Sequence, residues 1–354
     1  MENTDTSQPE TASPHVRRKR YKGTHPRRFA DKYKELNPGK YAEDIEKIMQ
    51  RGHTPAGMHR SICVNEILEV LDLKPGDRGL DATLGYGGHT RELLKKIIPG
   101  GHLISLDVDP IELPKTEARL RGEGYSTNVL EIRKMNFAGI NKLLPDIGDG
   151  LDFVLADLGL SSMQIDNPSR GFTFKVEGPL DLRMNPDRGR PASDLIKNLS
   201  EPSLEKLLTV NSDEPWAKEI AREISASAES IVTTTDLSDC INKAIDKAPH
   251  DSREKNIKKS CQRTFQALRI EVNDEFSALD QFLRQLPWIL KQGGKAAILT
   301  FHSGEDNRVV RAFEAGVSTG LFSGYSVEPI RASAQERFDN PRSKCARLRW
   351  AIKS

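Results

Sequence analysis

Gly79-Leu80-Asp81-Ala82-Thr83-Leu84-Gly85-Tyr86-Gly87-Gly88-His89-Thr90 carries the clearest signature of a fold in this chain. A short apolar run ends in an acid, and a turn with three glycines leads into Arg91-Glu92-Leu93-Leu94, which reads as a helix. Glycine has no Cβ, so the backbone there can approach a ligand closely. The helix start behind it offers unpaired N–H groups. A second acid, Asp107, ends the next apolar run, His102-Leu103-Ile104-Ser105-Leu106, about twenty positions beyond Gly87. A doubly wound α/β sheet places a carboxylate at that distance to hold ribose hydroxyls.

Two ligand classes use such a turn, and glycine spacing separates them. A dinucleotide site wants G-x-G-x-x-G directly after the strand, with the pyrophosphate on the helix end. Here Asp81 comes first, Gly85, Gly87 and Gly88 follow, and Thr90 stands where the third dinucleotide glycine belongs. That spacing disfavours an NAD-dependent dehydrogenase. A carboxylate facing the turn suits a cationic ligand, and S-adenosylmethionine carries both an ammonium and a sulfonium. An ordinary strand–turn–helix, with glycine for geometry alone, is the competing reading; Asp107 weighs against it.

At 354 residues, with 36% hydrophobic and 29% charged side chains, the chain can bury a large core and is expected to form more than one domain. No apolar run approaches a membrane span, and no signal peptide is expected. Cys63, Cys240, Cys261 and Cys345 are scattered without a C-x-x-C pair. Neither disulfides nor a bound metal is expected, which fits a reducing cytoplasm. Net charge is only +2, so any affinity for nucleic acid must come from local patches.

One such patch opens the chain. Residues 15–40 hold ten Lys and Arg against Asp31 and Glu35, with Tyr21 and Phe29 interleaved. Residues 1–50 are therefore expected to be a basic, partly disordered arm, suited to lie on phosphates or simply to be solvated. Short helices are expected at Tyr41–Arg51 and Ser61–Leu73, with the loop His53–His59 between them. Beyond them, apolar runs alternate with helical patterns, which predicts a parallel sheet. Strands are expected at Gly79–Ala82, His102–Asp107, Val129–Met135, Leu151–Ala156 and Lys295–Phe301, with Tyr325–Ile330 and Ala346–Ile352 at the edge. Roughly 138 residues separate the fourth strand from the fifth, far more than a crossover helix needs. Helices are expected there at Ser203–Val210, Pro215–Ser225, Thr235–Ala248 and Phe265–Leu286. Residues 51–164 and 287–354 then form the sheet domain, and 165–286 a mostly helical insertion.

Several stretches carry candidate chemistry. Ala156-Asp157-Leu158-Gly159-Leu160-Ser161-Ser162-Met163-Gln164 follows the fourth strand, where open α/β sheets bind ligands. Asp157 is thus expected between a methyl donor and its acceptor, although an N-cap or turn role would also place it there. Asp-Pro-Pro-Tyr, common at this point in methyltransferases that modify exocyclic amines, is matched only in its Asp. Arg170, Phe172 and Phe174 lie in a polar loop that could stack a base, unless the rings are core; Arg183 follows on the same loop. Gln266, Arg269 and Asn273 share one helical face that could read an RNA loop. His302 and Ser303, just past the fifth strand, could hold or deprotonate a base, or His302 could be structural.

Six ordered stretches now resemble one family: Asp81–His89, Asp157–Gln164, Arg170–Phe174, Pro179–Met184, Arg263–Ile270 and Phe301–Ser303. The chain is similar to the bacterial 16S rRNA (cytosine-1402-N4)-methyltransferases, called RsmH or MraW, from about His53 onward. The resemblance implies a Rossmann-like class I methyltransferase sheet with a helical insertion that meets RNA. It implies S-adenosylmethionine as cofactor, the small-subunit decoding centre as target, and 16S rRNA as partner. It places donor contacts at Gly87, Gly88, His89, Asp107, Phe137, Asp157 and Gln164; Asp81 and Gly85 join them from the turn itself. Gly304 stands where the family has leucine, Met163 where it has proline, and the arm resembles an extended second form. Cytosine N4 is a poor nucleophile and needs a proton acceptor, for which Asp157 is the candidate. A non-enzymatic RNA-binding factor on this fold, or methylation of another RNA or DNA amine, remains an alternative. A monomer and a homodimer are equally compatible with the sequence.

Overall fold

A computed structural model describes residues 61–246 and 253–354. The basic arm, the Tyr41–Arg51 helix, the His53–His59 loop and the end of the Thr235–Ala248 helix lie outside the described residues. The strands are β1 (Arg78–Asp81), β2 (His102–Asp107), β3 (Leu130–Lys134), β4 (Leu151–Asp157), β5 (Leu290–Thr300), β6 (Phe322–Tyr325) and β7 (Arg347–Lys353). They form one sheet in the order β3-β2-β1-β4-β5-β7-β6. β1 to β5 run parallel, and β7 is antiparallel to both β5 and β6. Strand order reverses between β1 and β4, so the ends of those strands border the crevice where such a sheet takes its ligand. The fold is the Rossmann-like α/β sheet that the sequence leads one to expect.

The helices used below are α1 (Val64–Leu71), α2 (Gly88–Ile97), α3 (Leu113–Gly122), α4 (Ser162–Asp166), α5 (Ala192–Asn198), α6 (Glu201–Ser212), α7 (Ala217–Ser227), α8 (Thr234–Ile245), α9 (Arg253–Asn273), α10 (Glu275–Ile289) and α11 (Ser303–Ser318). Alternation along β4 feeds two cores, as the period of a strand requires. Phe153 and Leu155 pack with Ile67 of α1, Leu93 and Leu94 of α2 and Leu120 of α3. Val154 and Ala156 face the other way, toward Phe282 and Leu286 of α10 and Phe313 of α11. Fully burying a side chain of this size contributes about 1.5–3 kcal/mol, so both faces are strongly held. A third core joins α5 to α9 through Ile196, Leu208, Ile220, Ile241 and Leu268, with Phe172, Leu180 and Leu182 from the preceding loop.

Two expectations need correction. The helix expected over 265–286 is two helices, because Asp274 takes a left-handed conformation with φ 50° between α9 and α10. Arg269 and Glu275 bond across the break, and α10 packs in the core of the sheet. The sixth strand lies at Phe322–Tyr325, ahead of the expected 325–330. Beyond Tyr325 the chain leaves the ladder, and Ile330 makes only an isolated bridge to Leu348. The exposed Val327 gave that segment its apolar signal without belonging to a strand.

Candidate active site

The turn after β1 is built on backbone angles that glycine adopts without strain, with φ +50° at Gly85 and +74° at Gly87. Gly87 is the N-cap of α2, whose first residue is Gly88. A Cβ added at Gly85 would meet nothing closer than 3.9 Å, so the turn is open there. Asp107, at the end of β2, ties the turn down: Gly85 N donates to Oδ2 at 2.8 Å and Asp109 N to Oδ1 at 2.9 Å. Burial pushes the Asp107 carboxyl up to about 6, although these N–H bonds pull the other way.

Asp81 does not face the turn as expected. It is fully buried beneath it, accepting from Thr90 Oγ1 at 2.6 Å and from Thr83 N at 3.1 Å. Thr83 Oγ1 in turn accepts from Asp157 N at 2.7 Å, which fixes the end of β4 against the end of β1. Asp81 is thus a support for the turn; a side chain ending β1 and pointing inward finds the Thr83 and Thr90 hydroxyls there.

Asp157 and His89 come together at the crevice. His89 is 7% exposed; its Nδ1 lies 3.4 Å from Asp157 Oδ2, and its Nε2 lies 3.0 Å from the Ile62 carbonyl. Asp157 Oδ1 is buried with no partner among the described residues. Burial pushes the Asp157 carboxyl up to about 6; the Asp81 and Glu305 charges add to this and the His89 charge opposes it. A buried acceptor left open at a strand end is costly to maintain, which makes it the atom to explain.

Gln164 belongs to a neighbouring network centred on Asp109, an acid the motif reading passes over. α4 opens with a capping box in which Ser161 and Gln164 bond reciprocally. Gln164 Nε2 then donates to Asp109 Oδ2 at 2.7 Å, and Arg170 NH1 donates to the same oxygen at 2.7 Å. Arg170 also donates to the Met184 carbonyl at 2.8 Å. Burial, followed by the nearby Glu112 charge, pushes the Tyr86 hydroxyl well up. The only sequence signal for Asp109 is its place two residues beyond the strand-ending Asp107, in an Asp-Pro turn. Phe137 is half-buried at the start of a 3-10 segment, Phe137–Leu143, edge-on to Phe282 at 5.3 Å.

His302 caps α11 rather than standing free. Its Nδ1 accepts from Glu305 N at 3.4 Å, and its Nε2 faces Glu305 Oε1 at 3.2 Å. Burial alone would raise the Glu305 carboxyl, yet the His302 contact and charge, Phe301 N–H and the Arg269 charge hold it below the usual range. Nδ1 is therefore committed to the cap, while Nε2 is buried beside Glu305 Oε1 with no hydrogen-bond partner among the described residues. Ser303 is exposed in the first turn of the helix. A Cβ at Gly304 would come within 2.6 Å of the Phe276 ring, so glycine there lets Phe276 lie beside the cap.

The six residues chosen as RNA readers are all engaged within the protein. Arg170 and Phe172 are buried, at 5% and 8% exposure. Arg183 pairs with Asp181 at 2.7 Å. Gln266 Nε2 donates to the Asn211 carbonyl at 3.3 Å, and Arg269 holds Glu275 through two bonds of 2.7 and 2.8 Å. Asn273 accepts from Met184 N at 2.7 Å and donates to the Leu182 carbonyl at 2.8 Å. Helical spacing correctly placed the last three on one face, but that face turns toward the protein. Cys63, Glu66 and Glu336 lie close enough to share an ion. Glu336 already accepts from Cys63 N at 3.1 Å, and burial pushes the Cys63 thiol up to about 12, so they are a poor ligand set.

Among the described residues no helix is long and apolar enough to cross a membrane. The family model of the MraW methylase family matches residues 56–354. The chain is 54% identical to "Ribosomal RNA small subunit methyltransferase H 1" of Lachnoclostridium phytofermentans, over 96% of this chain and 93% of that protein. It is 53% identical to "Ribosomal RNA small subunit methyltransferase H 2" of Alkaliphilus metalliredigens, over 96% of this chain and 97% of that one. A protein of Geobacter sp. named "Ribosomal RNA small subunit methyltransferase H" is 37% identical over 82% of this chain and 97% of its own length. The chain belongs to the MraW methylase family.

Proposed function

We propose that this chain methylates the N4 amine of a cytosine in 16S rRNA, cytosine-1402 at the decoding centre of the small ribosomal subunit. The rRNA substrate follows the names of its relatives, and the nucleotide follows the family resemblance. The residues present fit the donor: the turn is open at Gly85, the α2 start offers N–H groups, Asp107 ends β2, and an orphaned Asp157 oxygen lies beside them. S-adenosylmethionine, when bound, supplies an electrophilic methyl group on a sulfonium. Gly85, Gly87, Gly88 and the His89 backbone would line it, Asp107 would accept from its ribose, and Phe137 and Gln164 would flank it.

The observation that carries the chemistry is the buried, unpartnered Oδ1 of Asp157. An N4 amine cannot keep both of its protons after gaining a methyl group, so an acceptor must stand within hydrogen-bond reach. Burial raises the Asp157 carboxyl to about 6, which makes it more basic than an exposed carboxylate. Ser303, exposed beside the His302 cap, would meet the base edge. Residues 165–286 and the basic arm would supply the RNA surface, through side chains other than the six held internally.

The test is single-turnover methyl transfer by Asp157→Asn, which keeps shape and removes the acceptor. A general base contributes about 10²–10⁴-fold, so the rate is expected to fall at least about a hundredfold in a folded, donor-binding variant. Transfer at near wild-type rate would make Asp157 a structural residue.

A further inference from the structure

We propose that His89 and Asp157 act as one proton-sharing pair, with His89 the positioning residue that keeps Asp157 able to accept the N4 proton. The inference rests on the reading of Asp157 given above and assigns to the His89 ring a role beyond lining the donor turn. Its geometry is constrained at both nitrogens. The Ile62 carbonyl can only accept, so Nε2, 3.0 Å away, must carry a hydrogen. In neutral imidazole the other nitrogen is then a bare acceptor. That nitrogen, Nδ1, faces Asp157 Oδ2 at 3.4 Å. Two bare acceptors at this distance repel, although the Asp157 side chain is 29% exposed; one proton between them turns the contact into an attraction. The pair therefore rests with a single shared proton, held on Oδ2 or on Nδ1.

This leaves Oδ1 as the working oxygen. It is buried, has no partner among the described residues and belongs to the same carboxyl group. When the methylated amine sheds its proton, one N–H bond breaks and its electron pair returns to nitrogen. An O–H bond forms at Oδ1, and the shared proton settles on Nδ1. The pair thus enters with one proton and leaves with two, and releases the second to water once product departs. Without His89 the carboxyl would face only groups that make its charge harder to hold. Those groups are Asp81 from β1 and Glu305 from α11, and Cys63 ahead of α1 lies within reach of the same field.

Two variants and one spectrum test this. His89→Asn keeps an amide near the Nδ1 position but cannot take up a proton; His89→Gln reaches toward Ile62 and leaves Oδ2 unattended. Single-turnover rates at saturating donor are measured from pH 5 to 9, beside Asp157→Asn. Both His89 variants are expected to slow transfer and to move the acid limb upward by about one unit or more, the effect of losing a nearby positive group. In the folded wild type, nitrogen-15 spectra are expected to show the His89 ring protonated at Nε2. An unmoved acid limb overturns the inference, since a merely structural histidine would change rate alone. A neutral ring protonated at Nδ1 in the wild type overturns it without any variant having to fold. Full activity of Asp157→Asn would instead remove the acceptor reading on which the pair depends, so the two failures are distinguishable.

Discussion

Arg170→Met separates a structural arginine from an RNA-reading one. The Arg170 and Asp109 side chains are 6% and 1% exposed, with NH1 2.7 Å from Oδ2. Removing one partner of a buried pair costs about 3–5 kcal/mol, because the remaining charge is left uncompensated. Asp109 retains the Gln164 amide and the N–H groups of Ile111 and Glu112, which places the expected loss near the lower end, about 3 kcal/mol. For a chain of 354 residues, with an unfolding entropy of about 2.1 cal/mol/K per residue, each kcal/mol shifts Tm by about 1.3 °C. The variant should therefore melt roughly 4 °C below wild type in a calorimetric scan. Adding Asp109→Asn removes the stranded charge, so the double variant should recover part of the loss. A Tm within about 2 °C of wild type, together with weakened binding to small subunits, would refute the buried assignment and return Arg170 to the RNA surface.

Other outcomes follow from the same geometry. Asp107→Ala should weaken donor binding roughly tenfold or more by calorimetry, since a hydrogen bond to a charged group contributes about 1.5–3 kcal/mol; unchanged affinity would release Asp107 from the ribose. Asp157 has a folded pKa of about 6, above its unfolded value, so its contribution is fully present below the unfolded pKa and lost as pH rises through 6. Asp157→Asn should accordingly raise Tm at pH 8, by a stability gain on the order of 1–3 kcal/mol that fades toward pH 4; a lower Tm at pH 8 would contradict this. Deleting residues 1–40 should leave donor affinity unchanged but weaken binding to small subunits. It should also flatten the log K against log salt slope by about 0.7–0.9 for each phosphate that the arm had neutralised; equal slopes would show a solvated tail.

The sheet and its turn were legible because their signals are local. Asp81 to Gly88 encodes a strand end, a turn and a helix start within one window, and β2 and β4 announce themselves by short apolar runs ending in Asp107 and Asp157. The sequence could not show which way those acids point. Asp81 and Asp157 end adjacent strands, yet one meets Thr83 and Thr90 and the other keeps an open oxygen. The RNA readers misled for a related reason. Gln266, Arg269 and Asn273 form a polar helical stripe, which looks the same whether it faces water or a loop with carbonyls to satisfy. Here the loop at Leu182 and Met184 takes it, and nothing near position 273 in the chain marks that partner. Asp109 and Arg170 likewise meet across 61 positions, a separation no spacing rule spans.

Methyl transfer to small ribosomal subunits purified from cells that lack this enzyme, with the modified nucleotide mapped by mass spectrometry, bears on the donor, the substrate and the reacting atom at once. With S-adenosylmethionine as the only donor, one methyl group per subunit is expected, on the N4 amine of cytosine-1402. Failure to incorporate methyl, or a methyl group on a different nucleotide or on a ring atom, would contradict the proposed activity.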